Sequence, residues 1–406
     1  MKLLVVEPRG LFPPDSGAKI LSGNVLRHLS KRHDVTVLVN VDPREPAANT
    51  DKLRRICGKV VSVPWNDIRN FTPHFYFELV KCLLRGELYA VKKFCTPALK
   101  KRAAELAAAE HYDAVIWDTI SAFMPDVDFG RPPRIALAHN VEHKLRELQA
   151  NRAGWGFRAA YLRYYARKTR QFETFAFGRA DHVATVSDAD ARYIREGMGI
   201  GHVSALPPGV DAEYFAPAGE ESGEAELVFT GSMDWQANQD AAMFFVSNVL
   251  PIIKQTTPNV RFTIVGRRPP AHILALAETD PAHVEVTGTV DDVRPYLARA
   301  RVVAVPILFG SGIKIKVFEA MGMAKAVVVT TVGAEGLPLV DRENVLIADS
   351  PEDIAARCVE LLGDADLRRK IGQAARTTVL NGHDWSVVAA ELANICERVV
   401  QQRAGQ

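Results

Sequence analysis

No glycine-rich dinucleotide fingerprint follows the first apolar run of this chain. After Val6 the sequence reads EPRGLFPPDSGA, without GxGxxG, so a dinucleotide-type Rossmann site is not expected. The P-loop pattern GxxxxGK followed by Ser or Thr is missing, and so is the GxSxG elbow of serine hydrolases. HExxH does not occur; His139 and His143 with Glu142 between them come nearest, which is poor support for a metal, and none is expected. Cysteine is sparse: Cys57, Cys82, Cys95, Cys358 and Cys396 are scattered without CxxC spacing. That pattern argues for reduced thiols in a cytoplasmic compartment and against structural zinc. No apolar run reaches about 18 residues, so no membrane span is expected. Met1-Lys2 leads into Leu3 to Val6, a run too short for a signal peptide. With 50 basic and 48 acidic residues the formal charge is +2, which gives no reason to expect nucleic acid. Internal repeats and low-complexity segments are also missing.

What remains is an ordinary globular composition, 48% hydrophobic and 24% charged over 406 residues, too long for one core. Short apolar runs alternate with helical patterns: Leu3 to Glu7, Asp34 to Asn40, Lys59 to Val63, Asp113 to Asp118, Arg134 to His139 and His182 to Ser187 read as strands. Such alternation implies an α/β fold with a mostly parallel sheet covered on both faces. Val203 to Glu226, rich in Pro, Gly, Ala and Glu, reads as a linker. The alternation then restarts with Leu227 to Gly231, Arg261 to Gly266, Val284 to Thr289, Arg301 to Pro306, Ala326 to Thr331 and Val345 to Ala348. The expectation is two tandem Rossmann-like domains, 1–205 and 206–384, with a ligand cleft between them. An amphipathic helix in 385–406 is expected to pack back on the first domain.

Ligands of parallel sheets sit at the carboxyl ends of strands, which here carry Glu7 to Gly17, Asp118, His139 to Glu142, and Ser187. In the second half, Arg301 to Leu337 concentrates the chemistry. A buried strand runs into Gly310, Ser311 and Gly312; a helix is expected from near Ile313, carrying Lys314, Lys316 and Glu319. Free amides and the positive dipole end of such a helix suit a phosphate. A plain chain reversal at glycine explains the same turn, and the residues alone leave both readings open. Two further stretches, Ile68 to Phe94 and Arg152 to Phe177, mix aromatics with Lys and Arg. They suit either core plus solvated face or a peripheral contact with the inner face of a membrane.

Several phrases carry a family resemblance: PPGVDAEYF (207–215), FTGSMDWQANQDAAMFF (229–245), GSGIKIKVFEAMGMAKAVVVTTVGAEGL (310–337), AHNVEH (138–143) and VATVSDADARYI (183–194). Over essentially its full length the chain resembles the retaining, nucleotide-sugar-dependent glycosyltransferases of the GT-B fold, family 4 type. It is most similar to the subgroup found with exopolysaccharide and cell-surface glycan genes. The resemblance implies a hexosyltransferase without cofactor or metal, using a UDP- or GDP-linked sugar and a glycan or lipid-linked acceptor. It implies that Gly17 packs against the donor diphosphate and that His139 lies near the transferred sugar. Gly231, Ser232, Gly310 and the stretch Gly312 to Lys316 would serve the donor, Glu319 its ribose, and the turn with Thr287 and Val290 its base. Asp118, Asn140 and Glu142 are the candidate acceptor contacts.

The chain departs from that pattern in three places. Ser311 stands where many relatives have a sugar-contacting glutamate. Ser232 and Asn238 stand where relatives often have an arginine and a lysine that clamp the diphosphate. Lys314 and Lys316 are expected to supply the missing charge, one of them reaching the phosphates and the other facing solvent, since i and i+2 lie on different faces of a helix. The resemblance implies attack of the acceptor hydroxyl on the face from which the nucleotide leaves, the leaving phosphate taking the proton. Two other readings stay open: a nucleotide-sugar 2-epimerase, and a non-catalytic nucleotide-sugar-binding scaffold.

Overall fold

In the computed structural model the described residues are 1–14, 17–69, 71–130, 132–218, 221, 224–310 and 314–405, with the backbone alone described at 152. They form two compact units, Met1–Pro207 with Val388–Gln406, and Pro208–Val387.

The first unit is built on strands β1 (Lys2–Glu7), β2 (Asp34–Val41), β3 (Lys59–Pro64), β4 (Ala114–Asp118), β5 (Arg134–Ala138), β6 (His182–Thr185) and β7 (Val203–Ala205). They lie in the order β3-β2-β1-β4-β5-β6-β7, all parallel. Central strands are apolar at nearly every position because helices cover both faces. β4, AVIWD, is buried throughout, and Val5 pairs with Ile116 beside it. Trp117, Phe123 and Phe177 fill the core. The expected linker starts too early: Val203–Ala205 is the edge strand, Val183 pairing with Val203. The open edge of β6 recruits three residues whose surroundings look like loop.

The second unit holds β8 (Glu226–Thr230), β9 (Arg261–Val265), β10 (Val284–Gly288), β11 (Val302–Val305), β12 (Ala326–Val329) and β13 (Leu346–Ile347). Their order is β10-β9-β8-β11-β12-β13, again parallel. Phe245 stacks on Phe262 at 4.2 Å between ring centres in its core. Buried Glu226, which the sequence reading left in the linker, opens β8. Its carboxylate accepts from Arg299 Nε at 2.9 Å and from Thr263 Oγ1 at 3.1 Å, which offsets its desolvation.

Each sheet is doubly wound, so strand order reverses once: between β1 and β4 in the first, and between β8 and β11 in the second. Crevices open at the carboxyl ends of strands at such switch points. Glu7 ends β1 and Asp118 ends β4; Gly231 follows β8 and Gly310 follows β11.

Candidate active site

At the switch point of the first unit three ionisable side chains meet. His139 Nε2 lies 2.5 Å from Asp118 Oδ1, and both are buried. A carboxylate offers only acceptors, so Nε2 carries the proton of that bond. Burial alone would raise Asp118. The positive charge and hydrogen bond of His139 bring it below its ordinary value. Glu7 goes the other way: burial first, then the Asp118 charge, hold it well above the ordinary glutamate value. One proton therefore sits on the Glu7 side of the pair, Asp118 is the anion, and His139 is oriented by it. Thr119 follows with a φ of +70°, a conformation rare for a β-branched residue and found where a site fixes the backbone.

Other expected positions lie around this cluster. Gly17 is the first residue of the helix Gly17–Leu29 and is exposed. Asn140 is exposed after β5, its Nδ2 3.5 Å from Glu142 Oε1. Glu142 opens the helix Glu142–Arg152, and burial raises its carboxyl above the ordinary value. That helix start is capped from afar. Glu173 Oε1 accepts the Glu142 N–H at 2.8 Å, and its Oε2 accepts the His143 N–H at 3.2 Å and lies 2.6 Å from His143 Nδ1. His143 Nε2 meets Tyr193 OH at 2.8 Å. Both imidazole nitrogens of His143 are thus occupied, so this histidine holds the fold rather than a ligand.

In the second unit Gly231 follows β8, and a cation sits against that turn. Lys316 Nζ donates to Asn238 Oδ1 at 2.8 Å and lies 4.2 Å from the centre of the Phe229 ring. A Cβ at Gly231 would come within 2.5 Å of that ammonium, so glycine is what lets the lysine approach. Lys316 is half-buried, and burial lowers its pKa to about 7. Asn238 Nδ2 donates to Ser232 O at 2.8 Å. The residue standing where a lysine was expected therefore positions Lys316 instead.

The structure corrects the expectation for Lys314. The helix spans Ile315–Gly322, so Lys314 is its N-cap residue and not part of its first turn. It is half-buried rather than turned to solvent, with Nζ donating to Gly310 O at 3.1 Å. Gly310 has a φ of +122°, which favours glycine. Ser311, Gly312 and Ile313 lie outside the described residues. Glu319, one turn on from Lys316, is raised to about 7, by burial first, with Lys316 opposing. Among the described residues its carboxylate accepts no hydrogen bond. Thr287 and Val290 stand apart. Thr287 Oγ1 donates to Gly288 O at 3.0 Å, and Val290 packs on the core. β10 is two strands from β8, and among the described residues no hydrogen bond links this turn to Gly231.

One cation escaped sequence reasoning. Arg267 Nε donates to Ser232 Oγ at 2.6 Å, bringing a guanidinium to the position where the expected arginine is missing. Its signal was GRR directly after β9 (266–268). Gly266 is needed there because a Cβ would lie 1.7 Å from Gly231 O.

Comparison with known proteins agrees with this layout. Residues 16–214 match the model of Glycosyltransferase Family 4, and residues 224–364 match that of Glycosyl transferases group 1. The chain belongs to the family 4 glycosyltransferases. Among curated members, the phosphatidyl-myo-inositol mannosyltransferase of Mycobacterium tuberculosis is 29% identical over 225 residues, 53% of this chain and 58% of that protein. The chain thus spans 58% of the length of that relative. An uncharacterised 44.6 kDa protein in the cps region of Klebsiella pneumoniae is 18% identical over 86% of this chain and 87% of its own length. Among solved structures, Anabaena Alr3699/HepE in complex with UDP superposes with a TM-score of 0.67 at 13% identity, over 98% of this chain and 100% of that one. That likeness is one of fold, GT-B architecture in both.

Proposed function

We propose that the chain transfers a hexosyl group from a UDP- or GDP-linked sugar to a glycan or lipid-linked acceptor in surface-polysaccharide synthesis, with retention of configuration and without a metal ion. Glu319 carries the reading. It is a half-buried carboxylate with no hydrogen-bond partner among the described residues, raised to about 7 by burial, one helical turn from the half-buried Lys316 ammonium at a switch-point turn. A half-buried carboxylate with free acceptor oxygens can take hydrogen bonds from ribose hydroxyls. Cleaving the sugar–phosphate bond develops negative charge on the nucleotide. Lys316, Arg267 and the amides opening the helix Ile315–Gly322 are the preorganised groups that would stabilise it. These cations supply what a divalent ion would otherwise supply. Asp118, Asn140 and Glu142 serve the acceptor in this reading, and His139, oriented by Asp118, serves the transferred sugar.

Relatives lend support to the substrate classes: one structural neighbour is a complex with UDP, and one curated relative is named for a lipid substrate. Five buried free cysteines suit a cytoplasmic protein. The test is thermal stability against UDP, GDP, ADP and their sugars, with and without magnesium. A ligand that binds the folded state raises the melting temperature by mass action. The expected result is a shift with one nucleotide that is independent of magnesium and lost in Glu319→Ala. A panel with no shift in either condition rejects donor binding, and a shift seen with magnesium alone rejects metal independence.

A further inference from the structure

Two residues beyond the end of β1, at the switch point of the first unit, stands a cation without a partner. Its loop is fixed from two sides. The Arg9 N–H donates to Glu7 Oε1 at 3.1 Å. Buried Asn40, in β2, donates through Nδ2 to Pro8 O at 3.0 Å and to Phe94 O at 2.7 Å. Tied in this way, the loop lays the half-buried guanidinium of Arg9 on the Phe94 ring, 5.8 Å from its centre. Arg9 Nε is closed off from solvent and has no hydrogen-bond partner. The two terminal amino groups are therefore the edge left for a ligand, and among the described residues neither makes a hydrogen bond.

The carboxylates nearby are committed elsewhere. Asp118 faces His139 at 2.5 Å. Glu142 lies 3.5 Å from Arg146 Nη2; the Arg9 charge reaches it, but the two form no ion pair. Glu7 takes only the backbone N–H of Arg9 and holds its own proton. Lys93, on the same Phe94 ring at 5.3 Å, is paired with Asp67 at 2.7 Å. Among the described residues no carboxylate pairs with Arg9, and an arginine cannot shed its proton to become neutral. We propose that Arg9 receives an oxyanion carried by the acceptor, a phosphate or a carboxylate on the sugar that is attacked, so that the protein selects an anionic acceptor over a neutral glycan. A guanidinium binds either group through two parallel N–H bonds, and the Phe94 ring beneath it fixes the plane. The acceptor is the partner because Asp118, Asn140 and Glu142, its candidate contacts, surround the same strand ends, whereas the donor phosphates have Lys316 and Arg267. The proposal takes its acceptor from the sugar-transfer reading, but its test uses no nucleotide.

The experiment is a melting-temperature titration of the full chain with glucose 1-phosphate, glucuronate and glucose at constant ionic strength. At least one anionic sugar should raise the melting temperature and glucose should not; which one acts separates phosphate from carboxylate recognition. Arg9→Met should weaken that response ~10-fold or more. Arg9→Lys keeps the charge but loses the fork, so it should fall between. Without ligand, Arg9→Met should melt no lower than the parent, because it removes an unpaired cation and keeps an apolar side chain on Phe94. Lys316→Met should leave the response intact, since it lies at the donor turn. Glucose as effective as the anionic sugars, no response to either anion, or unchanged affinity in Arg9→Met overturns the proposal. So does a ligand-free Arg9→Met that melts below the parent, which marks a structural arginine, or a response lost in Lys316→Met. A chain that answers an anionic sugar through Arg9 but no nucleotide keeps this site and loses the sugar-transfer reading.

Discussion

Lys316 Nζ and Asn238 Oδ1 are 2.8 Å apart, a neutral amide holding an ammonium where a charged partner would ordinarily be found. With no full negative charge bonded to it, burial lowers Lys316 to about 7, so near neutrality part of the population has already lost the proton. A bound diphosphate supplies the missing charge and raises that pKa. Nucleotide binding should therefore take up about half a proton at pH 7, rising toward one by about pH 8–9. Calorimetry in buffers of different ionisation enthalpy measures the uptake, and Lys316→Met should abolish it. Uptake that is zero in the parent chain would show that the diphosphate does not meet this lysine.

Lys316 and Glu319 also shape the pH dependence of the unliganded protein. Glu319 is raised to about 7, so the native state binds more protons than the unfolded chain from about 4.5 upward, and stability falls as pH rises to 7. Lys316 is lowered from 10.5 to about 7, so stability lost as pH falls toward 7 returns as pH rises toward 10.5. The pair predicts a shallow stability minimum near pH 7 without ligand, flattened in Lys316→Met with Glu319→Gln. Urea unfolding from pH 5 to 9 checks it; parallel curves for parent and variant would count against it.

Gly266 offers a structural test in the same region. An alanine Cβ there would lie 1.7 Å from Gly231 O and 2.9 Å from its carbonyl carbon. Neither atom can move away as a side chain would, because both belong to the β8 turn. Gly266→Ala should therefore destabilise the protein by about 2–4 kcal/mol and displace the turn that carries Ser232 and its bond to Arg267. Differential scanning calorimetry reads the first effect, and weaker nucleotide binding reads the second. A melting temperature within a degree of the parent would mean that the β8 and β9 turns separate easily.

The parallel strands were legible because strands buried on both faces are almost continuous in Val, Leu and Ile, as in VVAV and AVVV. Expected bounds lie within one or two residues of the observed ones. β7 was not legible, since three residues beside a Pro-rich stretch become a strand only when β6 offers an edge. Positions at strand ends follow from topology, which is why Glu7, Asp118, His139 and Gly231 could be named from the sequence. Partnerships across the sheet could not. That Arg267 reaches Ser232 and Asn238 holds Lys316 depends on how the β8 and β9 turns meet, and no local pattern encodes it. Glu173 is hidden for the same reason: it lies in a long basic helix yet caps another helix start 31 residues earlier in the chain.

Glu173 is fully buried, and it satisfies two backbone N–H groups and the His143 ring together. Removing the carboxylate strands all three donors away from water. Glu173→Ala should therefore destabilise the protein by about 3–5 kcal/mol. Glu173→Gln keeps one acceptor oxygen and should fall between that variant and the parent. Chemical denaturation gives both values, and an alanine effect below about 1 kcal/mol would mean that water replaces the carboxylate at this helix start.

Glu7 makes the opposite prediction, because what it contributes depends on keeping its proton. Burial and the Asp118 charge raise its pKa, so the native state binds this proton more tightly than the unfolded chain. Its contribution is complete below the ordinary glutamate value and declines as pH rises through the raised one. Glu7→Gln is neutral and has no proton to lose, so it should match the parent at acidic pH and lose less stability on the alkaline side. The consequence reaches His139. While Glu7 is neutral, Asp118 is the single anion facing the imidazole at 2.5 Å. Nitrogen NMR of the His139 side chain should therefore show the Nε2 proton retained in Glu7→Gln and lost from its fixed position in Asp118→Ala. An unchanged His139 signal in Asp118→Ala would mean that the ring is oriented by something other than this carboxylate, and the Glu7–Asp118–His139 chain would lose its middle link.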